Sequence, residues 1–279
     1  MVYSNHAFER MVDTLSDSVP LSDSEYMGED GLLHCAVCHD NVQTVVEFLG
    51  IRKTVRCICS CKEAELKAEE ERMRRQDYDR NRKICFGYAD MADCTFENDD
   101  RQKPALSKAM EAYAERFHEF LKIHKGLVLY GPVGTGKSYY AACIANRLID
   151  KGYKVRMTNF AELANILESK FDGKQEFMES LNRYDLLIVD DLGAERNSAS
   201  GYMQEIVFNI IDSRCRAKLP FIVTTNLTAD ELKNPTDMRY KRIYDRVLER
   251  CHPVEVAGQS RRRQALRETH ADVKAMLGL

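Results

Sequence analysis

Eight consecutive residues, Gly131-Pro132-Val133-Gly134-Thr135-Gly136-Lys137-Ser138, fit the spacing G-x-x-x-x-G-K-[ST]. The spacing has a physical basis. Glycines let a backbone wrap closely around phosphate oxygens with its N–H groups turned inward. A helix starting near Lys137 adds the positive end of its dipole. Lys137 then reaches the β- and γ-phosphates of a nucleoside triphosphate, and the Ser138 hydroxyl is a ligand for Mg²⁺. Gly131 to Ser138, with Tyr139 directly after, are therefore the candidate nucleotide-binding residues.

Further along, Leu186-Leu187-Ile188-Val189-Asp190-Asp191 closes an apolar run with two carboxylates. In a parallel sheet, ligands lie beyond the C-terminal strand ends. Asp190 is placed there to hold Mg²⁺, directly or through water. Asp191 is placed to polarise an attacking water. The alternative for Asp191 is a cap on the following turn. Two adjacent carboxylates at the end of a buried strand are costly unless they face a cation, which favours the catalytic role. Phe221 to Asn226 puts a neutral amide at the end of another strand, where Asn226 can orient the water or the γ-phosphate.

Five of the ten cysteines fall between residues 35 and 61. Cys35-Ala36-Val37-Cys38 is a C-x2-C knuckle, and Cys57-Ile58-Cys59-Ser60-Cys61 follows after eighteen intervening residues. In a reducing compartment such clustering points to metal more than to disulfides. Zn²⁺ takes four thiolate or imidazole ligands in a tetrahedron, so five cysteines exceed the need. Cys35 and Cys38 are the firm pair. The second pair comes from Cys57, Cys59 and Cys61, and the expectation is Cys57 and Cys59, with Cys61 as the alternate. His34 and His39 are spare candidates, each expected to be exposed, and reduced, unliganded thiols are the plain alternative. A module this small buries too little core to fold alone, so a metal would supply its folding free energy. The role is structural, because a filled protein-ligand shell leaves no open catalytic position.

The elements that must position these residues follow from hydrophobic pattern. Gly126–Tyr130, Tyr153–Met157, Leu186–Val189, Phe221–Thr225 and Val254–Val256 read as strands. Ser138–Ile149 reads as a helix with Ala141, Ile144, Ala145, Leu148 and Ile149 on one face, stopped by Gly152. Asn159 caps a helix carrying Leu163, Ile166 and Leu167, and Met203, Ile206, Val207, Ile210 and Ile211 mark another. Apolar strands without strict alternation are expected where helices cover both faces. The fold class is therefore α/β, a parallel sheet flanked by helices. Ahead of it, residues 1–30 are acidic and Ser-rich, a mobile tail or a short partner-binding helix. Residues 31–62 form the cysteine module. Residues 63–89 are charged helix formers with i,i+4 pairs such as Glu63–Lys67, a solvated linker helix.

The chain has 279 residues, 44% hydrophobic and 30% charged, with net charge −3 and a pI near 6.2. No apolar run approaches the roughly 20 residues that span a bilayer, so a membrane is not an expected partner. The start Met1-Val2-Tyr3-Ser4-Asn5-His6 lacks a basic and apolar leader, and the expected location is cytoplasmic. The charge gives no global nucleic-acid signature but leaves room for a local basic surface.

With Gly131–Ser138, Asp190-Asp191-Leu192-Gly193-Ala194-Glu195, Val223-Thr224-Thr225-Asn226 and Arg242-Ile243-Tyr244-Asp245-Arg246 in this order, residues 90–265 resemble the AAA+ ATPases of the DnaC/IstB type. These include bacterial and phage helicase loaders and transposition helper ATPases. The resemblance implies a P-loop AAA+ (ASCE) ATPase domain over 90–279, using ATP and Mg²⁺ and releasing ADP. It implies that Asn226 is the sensor 1 residue and Arg246 the arginine finger that completes a neighbouring subunit's site. Gly258-Gln259-Ser260-Arg261-Arg262 looks like the family's G-x-S-x-R, which makes Arg262 the sensor 2 residue, with Arg261 and Arg263 beside it. The finger role also has its own physical case, since a guanidinium stabilises charge spreading over the γ-phosphoryl oxygens; Arg239, Arg242 and Arg250 are rivals. One departure matters. Many AAA+ proteins have Asp-Glu where this chain has Asp190-Asp191, so slow or partner-stimulated hydrolysis is expected, with Glu195 a lesser substitute base. The chain also leaves little room for a helical lid after Arg262.

A zinc module followed by a charged linker helix looks more like DnaC/DnaI-type helicase loaders than IstB helpers. That resemblance implies three partners: a replicative hexameric helicase gripped by the N-terminal module, single-stranded DNA on the ATPase part, and further copies of the chain. Delivery of a DnaB-type helicase to DNA would be the function. The alternatives are an IstB-like transposition helper and a nucleotide-gated adaptor with negligible hydrolysis. Candidate DNA contacts are Asn159, Phe160, Lys170 and Lys174, or the basic stretch 239–250, because an aromatic beside basic residues suits stacking plus phosphate contact. Phe160 is expected in the core instead.

Overall fold

The computed structural model describes residues 24–48, 50–86, 90–170, 172–193 and 201–261, with residues 263, 270, 273, 274, 276 and 277 beyond them. Most of the acidic tail, Glu195 and Arg262 lie outside the described residues. Two compact units divide between Gln76 and Asp77.

In the smaller unit, β1 (Glu25–Met27) pairs antiparallel with β2 (Leu33–Cys35), and β3 (Gln43–Phe48) forms a hairpin with β4 (Ile51–Arg56). The buried apolar set is small: Leu33, Cys35, Val42 and Cys59. The hairpin leaves Val45, Val46, Phe48 and Ile51 exposed. Helix α1 (Ser60–Phe86) follows, and the unit boundary falls within it. Its first part is solvated and laced by pairs one turn apart, including Lys67–Glu63 at 2.6 Å and Arg74–Glu71 at 2.8 Å. Its last residues, Cys85 and Phe86, are buried in the core of the larger unit.

The larger unit is built on a five-stranded sheet. In chain order its elements are α2 (Pro104–Glu115), α3 (Phe117–Lys122), β5 (Gly126–Tyr130), α4 (Lys137–Asp150), β6 (Val155–Asn159), α5 (Phe160–Ser169), α6 (Lys174–Ser180), β7 (Leu186–Leu192), α7 (Gly201–Arg216), β8 (Phe221–Thr225), α8 (Ala229–Lys233), α9 (Met238–Arg250) and β9 (Cys251–Glu255). The strand order is β6-β7-β8-β5-β9, with every pairing parallel. Successive side chains of a strand point to opposite faces. Leu127, Leu129, Leu186, Ile188 and Ile222 accordingly join one core with Met110 and Tyr113 of α2 and Ile144 and Leu148 of α4. Val128, Leu187, Val189, Phe221 and Val223 join the other with α5, α7 and α9. Both faces are covered, which is why the strands read as unbroken apolar runs.

Strand boundaries differ from the sequence reading at β6, β7 and β9, with β7 running past Val189 to Leu192. The C-terminal turn of α4 continues through Tyr153, whose N–H donates to Leu148 O at 3.0 Å, so β6 starts at Val155. Strand β9 starts at Cys251, directly from the end of α9, and as an edge strand it tolerates Pro253. Arg214 of α7, 1% exposed, donates to the carbonyls of Leu181, Tyr184, Asp185 and Pro220 and so ties the segments that lead into β7 and β8. Among the described residues no helix is long and apolar enough to cross a membrane.

Candidate functional site

The glycine-rich loop joins β5 to α4. Gly131, Gly134 and Gly136 have φ of 138°, 82° and 98°, the left-handed region that side chains rarely adopt. At Gly134 a Cβ would also stand 2.1 Å from Ser260 Oγ. Lys137 is the first residue of α4, capped by Gly136, and its side chain is buried. Its Nζ donates to Gly131 O (2.9 Å), Pro132 O (2.8 Å) and Asn226 Oδ1 (2.7 Å). Ser138 Oγ donates to both carboxylate oxygens of Asp190, at 2.8 and 2.9 Å. A hydroxyl and a carboxylate side by side form a hard oxygen donor set, which suits Mg²⁺. Val133 projects outward, and Thr135 is fully buried with Oγ1 donating to Pro132 O at 2.9 Å. Tyr139 turns its hydroxyl to Thr95 O at 2.9 Å, and burial pushes that phenol well up.

Strand β8 lies between β5 and β7, so its end separates the loop from the acidic pair. Asn226, just past β8, uses this position. Its Oδ1 accepts from Lys137 while its Nδ2 donates to Asp191 Oδ1 at 2.7 Å. One amide thus links the loop lysine to the second carboxylate. Asp191 has φ 64° and sits where the β7–β8 register shifts between Val189 and Leu192. A non-glycine residue held there costs of order 1–3 kcal/mol, a strain typical of functional sites. Asp190 is half-buried and Asp191 exposed.

The structure adds groups that spacing did not reveal. Lys103 Nζ donates to Thr135 O at 3.0 Å, and the Arg261 N–H donates to Gly134 O at 2.9 Å. These hold two loop carbonyls outward. Arg261 Nη2 pairs with Asp100 at 2.8 Å, while buried Asp99 accepts from Ser107 Oγ. Burial, then the nearby Arg261, holds the Lys103 ammonium below the usual lysine range. The segment carrying Ser260 and Arg261 therefore leans on the loop. Of these groups, only Arg261 stands out in the sequence, as a neighbour of Arg262 in Gly258–Arg262; Lys103, Asp99 and Asp100 carry no local signal.

Arg246 is on an exposed part of α9. Its Nη1 pairs with Glu249 at 2.9 Å and its Nε with Asp212 at 3.5 Å, and Glu249 raises its pKa. Among its rivals, Arg239 pairs with Asp237, Arg242 lies 5.5 Å from the Phe208 ring, and Arg250 donates to Cys215 O. Phe160 is buried, as expected, and Asn159 caps α5 by accepting from Glu162 N at 2.8 Å. Lys170 lies 5.9 Å from the Phe177 ring and Lys174 5.8 Å from the ring of half-exposed Tyr202.

In the smaller unit the Sγ atoms of Cys35, Cys38, Cys59 and Cys61 all lie within 4.8 Å of one another. Cys35–Cys61 is 3.5 Å and Cys59–Cys61 is 3.3 Å. Sulfurs at ~2.3 Å from a tetrahedral Zn²⁺ would stand ~3.8 Å apart, so this donor set fits that ion. Backbone N–H groups of Asp40 and Cys61 aimed at Cys38 lower its thiol to about 6. The expected pair Cys57 and Cys59 is corrected here: Cys61, the alternate, joins the set and Cys57 does not. Cys57 still follows the course of β4, its N–H bonded to Val42 O and its thiol donating to Asn41 O at 3.2 Å. The helix start at Ser60, fixed by Ser60 N to Asp40 Oδ2 at 3.0 Å, brings Cys61 back beside Cys59. His34 is bonded to Asp30 and His39 O, and His39 to the Tyr26 hydroxyl, so neither belongs to the set.

A sequence profile described as IstB-like ATP binding protein matches residues 54–269. The replicative helicase loader DnaI of Bacillus subtilis is 27% identical over 187 residues, covering 62% of this chain and 60% of that protein. The replicative helicase loader DnaC of Escherichia coli K12 is 30% identical over 162 residues, covering 55% of this chain and 62% of that protein. The chain thus spans about three fifths of the length of these relatives. A crystal structure of DnaI aligns with TM-score 0.52 at 25% identity, over 65% of this chain and 99% of that one.

Proposed function

The chain belongs to the IstB-like ATP binding protein family and has a P-loop AAA+ fold, and on that premise we propose that it is an ATPase that loads a replicative hexameric helicase onto single-stranded DNA. The observation carrying this reading is its similarity to two proteins named replicative helicase loaders. The division of labour is a helicase-gripping zinc module over 31–62, a linker helix over 63–89 and the ATPase domain over 90–279, acting in the cytoplasm.

The loop amides and Lys137 bind the phosphates of ATP. Lys137 then exchanges its bonds to Gly131 O and Pro132 O for phosphate oxygens. Ser138 and Asp190 would hold Mg²⁺, which when bound neutralises charge across the β- and γ-phosphates. Asp191 accepts a proton from the attacking water, and Asn226, freed from Lys137, orients that water or the γ-phosphate. Asp191 is one methylene shorter than Glu, so turnover is slow until a partner stimulates it. Arg246 serves the site of a neighbouring copy, and Arg262 is the sensor 2 residue. The pairing of Lys170 with Phe177 and Lys174 with Tyr202 suits single-stranded DNA, with rings for bases and ammonium groups for phosphates. Cys35, Cys38, Cys59 and Cys61 would hold a structural Zn²⁺, which supplies folding free energy to a unit with a small core.

The test is size-exclusion chromatography with the replicative helicase from the same source, with ATP turnover measured with and without single-stranded DNA. A co-eluting complex and helicase loading support the reading; absence of both overturns it. The family's description also favours an IstB-like transposition helper. Turnover stimulated by duplex DNA and a transposase, with no helicase complex, would decide for that alternative.

A further inference from the structure

The β7–β8 register runs Val189↔Val223 and then Leu192↔Thr225. Two residues of β7, Asp190 and Asp191, therefore face one residue of β8, Thr224. That count defines a β-bulge, a device that re-aims side chains beside active sites. Thr224 bonds to both bulged residues. Its Oγ1 donates to Asp190 Oδ1 and accepts the Asp191 N–H at 2.9 Å. The side chain is 1% exposed, so water does not replace these bonds. A hydroxyl has one proton and two lone pairs, and this one serves a carboxylate acceptor and an amide donor at once.

We propose that Thr224 is a positioning residue whose hydroxyl sets where the carboxylates of Asp190 and Asp191 stand. The bond to Asp190 Oδ1 fixes the carboxylate that also accepts from Ser138 Oγ. The bond from Asp191 N holds the left-handed backbone that presents Asp191 Oδ1 to Asn226. Valine in this place would keep the β-branched shape a buried strand favours, yet release both acidic residues from one another. Thr225 does a different job, donating to Leu192 O at 2.6 Å and closing the bulge through the backbone.

The inference rests on the Mg²⁺- and nucleotide-site reading, and the experiment separates the two. Full-length wild type, Thr224→Val and Thr224→Ser are titrated with a fluorescent ATP analogue, first in EDTA and then across a Mg²⁺ series, and turnover is measured in parallel. Removing an outer-sphere partner of a metal-holding carboxylate typically costs ~10–100-fold, so Thr224→Val should need ~10–100-fold more Mg²⁺ and lose turnover by a similar factor. Its affinity in EDTA should stay within ~3-fold of wild type, and Thr224→Ser should recover both losses to within ~3-fold. A wild-type Mg²⁺ response in Thr224→Val, or a Ser variant as impaired as Val, overturns the proposal. A wild type whose nucleotide affinity ignores Mg²⁺ overturns the site reading beneath it. Should Thr224→Val fail to fold by circular dichroism, Thr224→Ala goes through the same titrations against Thr224→Ser, with the same outcomes deciding.

Discussion

Changing Cys61 to serine removes one of four clustered thiols, whereas changing Cys57 removes a thiol bonded only to a carbonyl. The two sites are four residues apart, so the contrast isolates ligation from general disturbance of the segment. Structural zinc in small modules carries about 10–16 kcal/mol of apparent binding free energy. One ligand of four then accounts for ~3–4 kcal/mol, or ~10²–10³-fold in Kd. Cys57 Sγ makes one bond to Asn41 O at 3.2 Å. Serine can repeat that bond, so its loss is bounded by ~1 kcal/mol and zinc affinity should hold within ~5-fold. The assay is competition for zinc against a colorimetric chelator on full-length protein, with metal content checked by mass spectrometry. The double variant Cys57→Ser/Cys61→Ser should match Cys61→Ser, which tests whether Cys57 steps in as a replacement ligand. Zinc lost from Cys57→Ser and retained by Cys61→Ser would refute the assignment drawn from the sulfur positions.

Three further outcomes are expected. Asn226→Ala, which removes the amide linking Lys137 to Asp191, should lower turnover by ~10²–10³-fold with little change in nucleotide affinity; unchanged steady-state turnover would contradict the role assigned to the amide. Lys137→Ala and Arg246→Ala should each be inactive alone, yet regain part of the activity when mixed, because a mixed assembly pairs an intact loop with an intact arginine. No recovery on mixing would place Arg246 outside the neighbour's site. Arg214→Leu strands four carbonyl acceptors at the starts of β7 and β8, each worth ~1–3 kcal/mol when left unpaired. With partial repair by water the net loss should be at least ~3 kcal/mol, a fall of ~6–12 °C in the melting midpoint of a domain this size, read by calorimetry.

The inner strands of the five-stranded sheet were legible because both their faces are buried, which leaves apolar runs bounded by Gly126, Asp190 and Asn226, whereas β1, β3 and β4, largely exposed, were not. The helices were legible from apolar residues one turn apart, as in Ala141, Ile144, Ala145 and Leu148. The loop 131–138 was legible because phosphate binding demands glycine at fixed spacing. The fourth cysteine was not, because the choice between Cys57 and Cys61 depends on where a helix begins, and that is fixed by Asp40 twenty residues earlier. Arg261 meets Asp100 across 161 residues of chain, a contact no local pattern encodes. Thr224 reads as an ordinary strand threonine, since a bulge depends on pairing between strands and leaves no mark on either strand alone.

The amide of Asn226 is chemically two-ended. Its oxygen faces a cation at Lys137 and its nitrogen faces an anion at Asp191, 2.7 Å away on each side. A carboxylate in its place would attract one neighbour and repel the other. An imidazole could bridge them only in one protonation state, and that state would change between pH 5 and 8. The amide neither gains nor loses a proton in that range. Polarity along the link between the glycine-rich loop and Asp191 is thus built into covalent structure, and swings in cellular acidity leave the amide as it is.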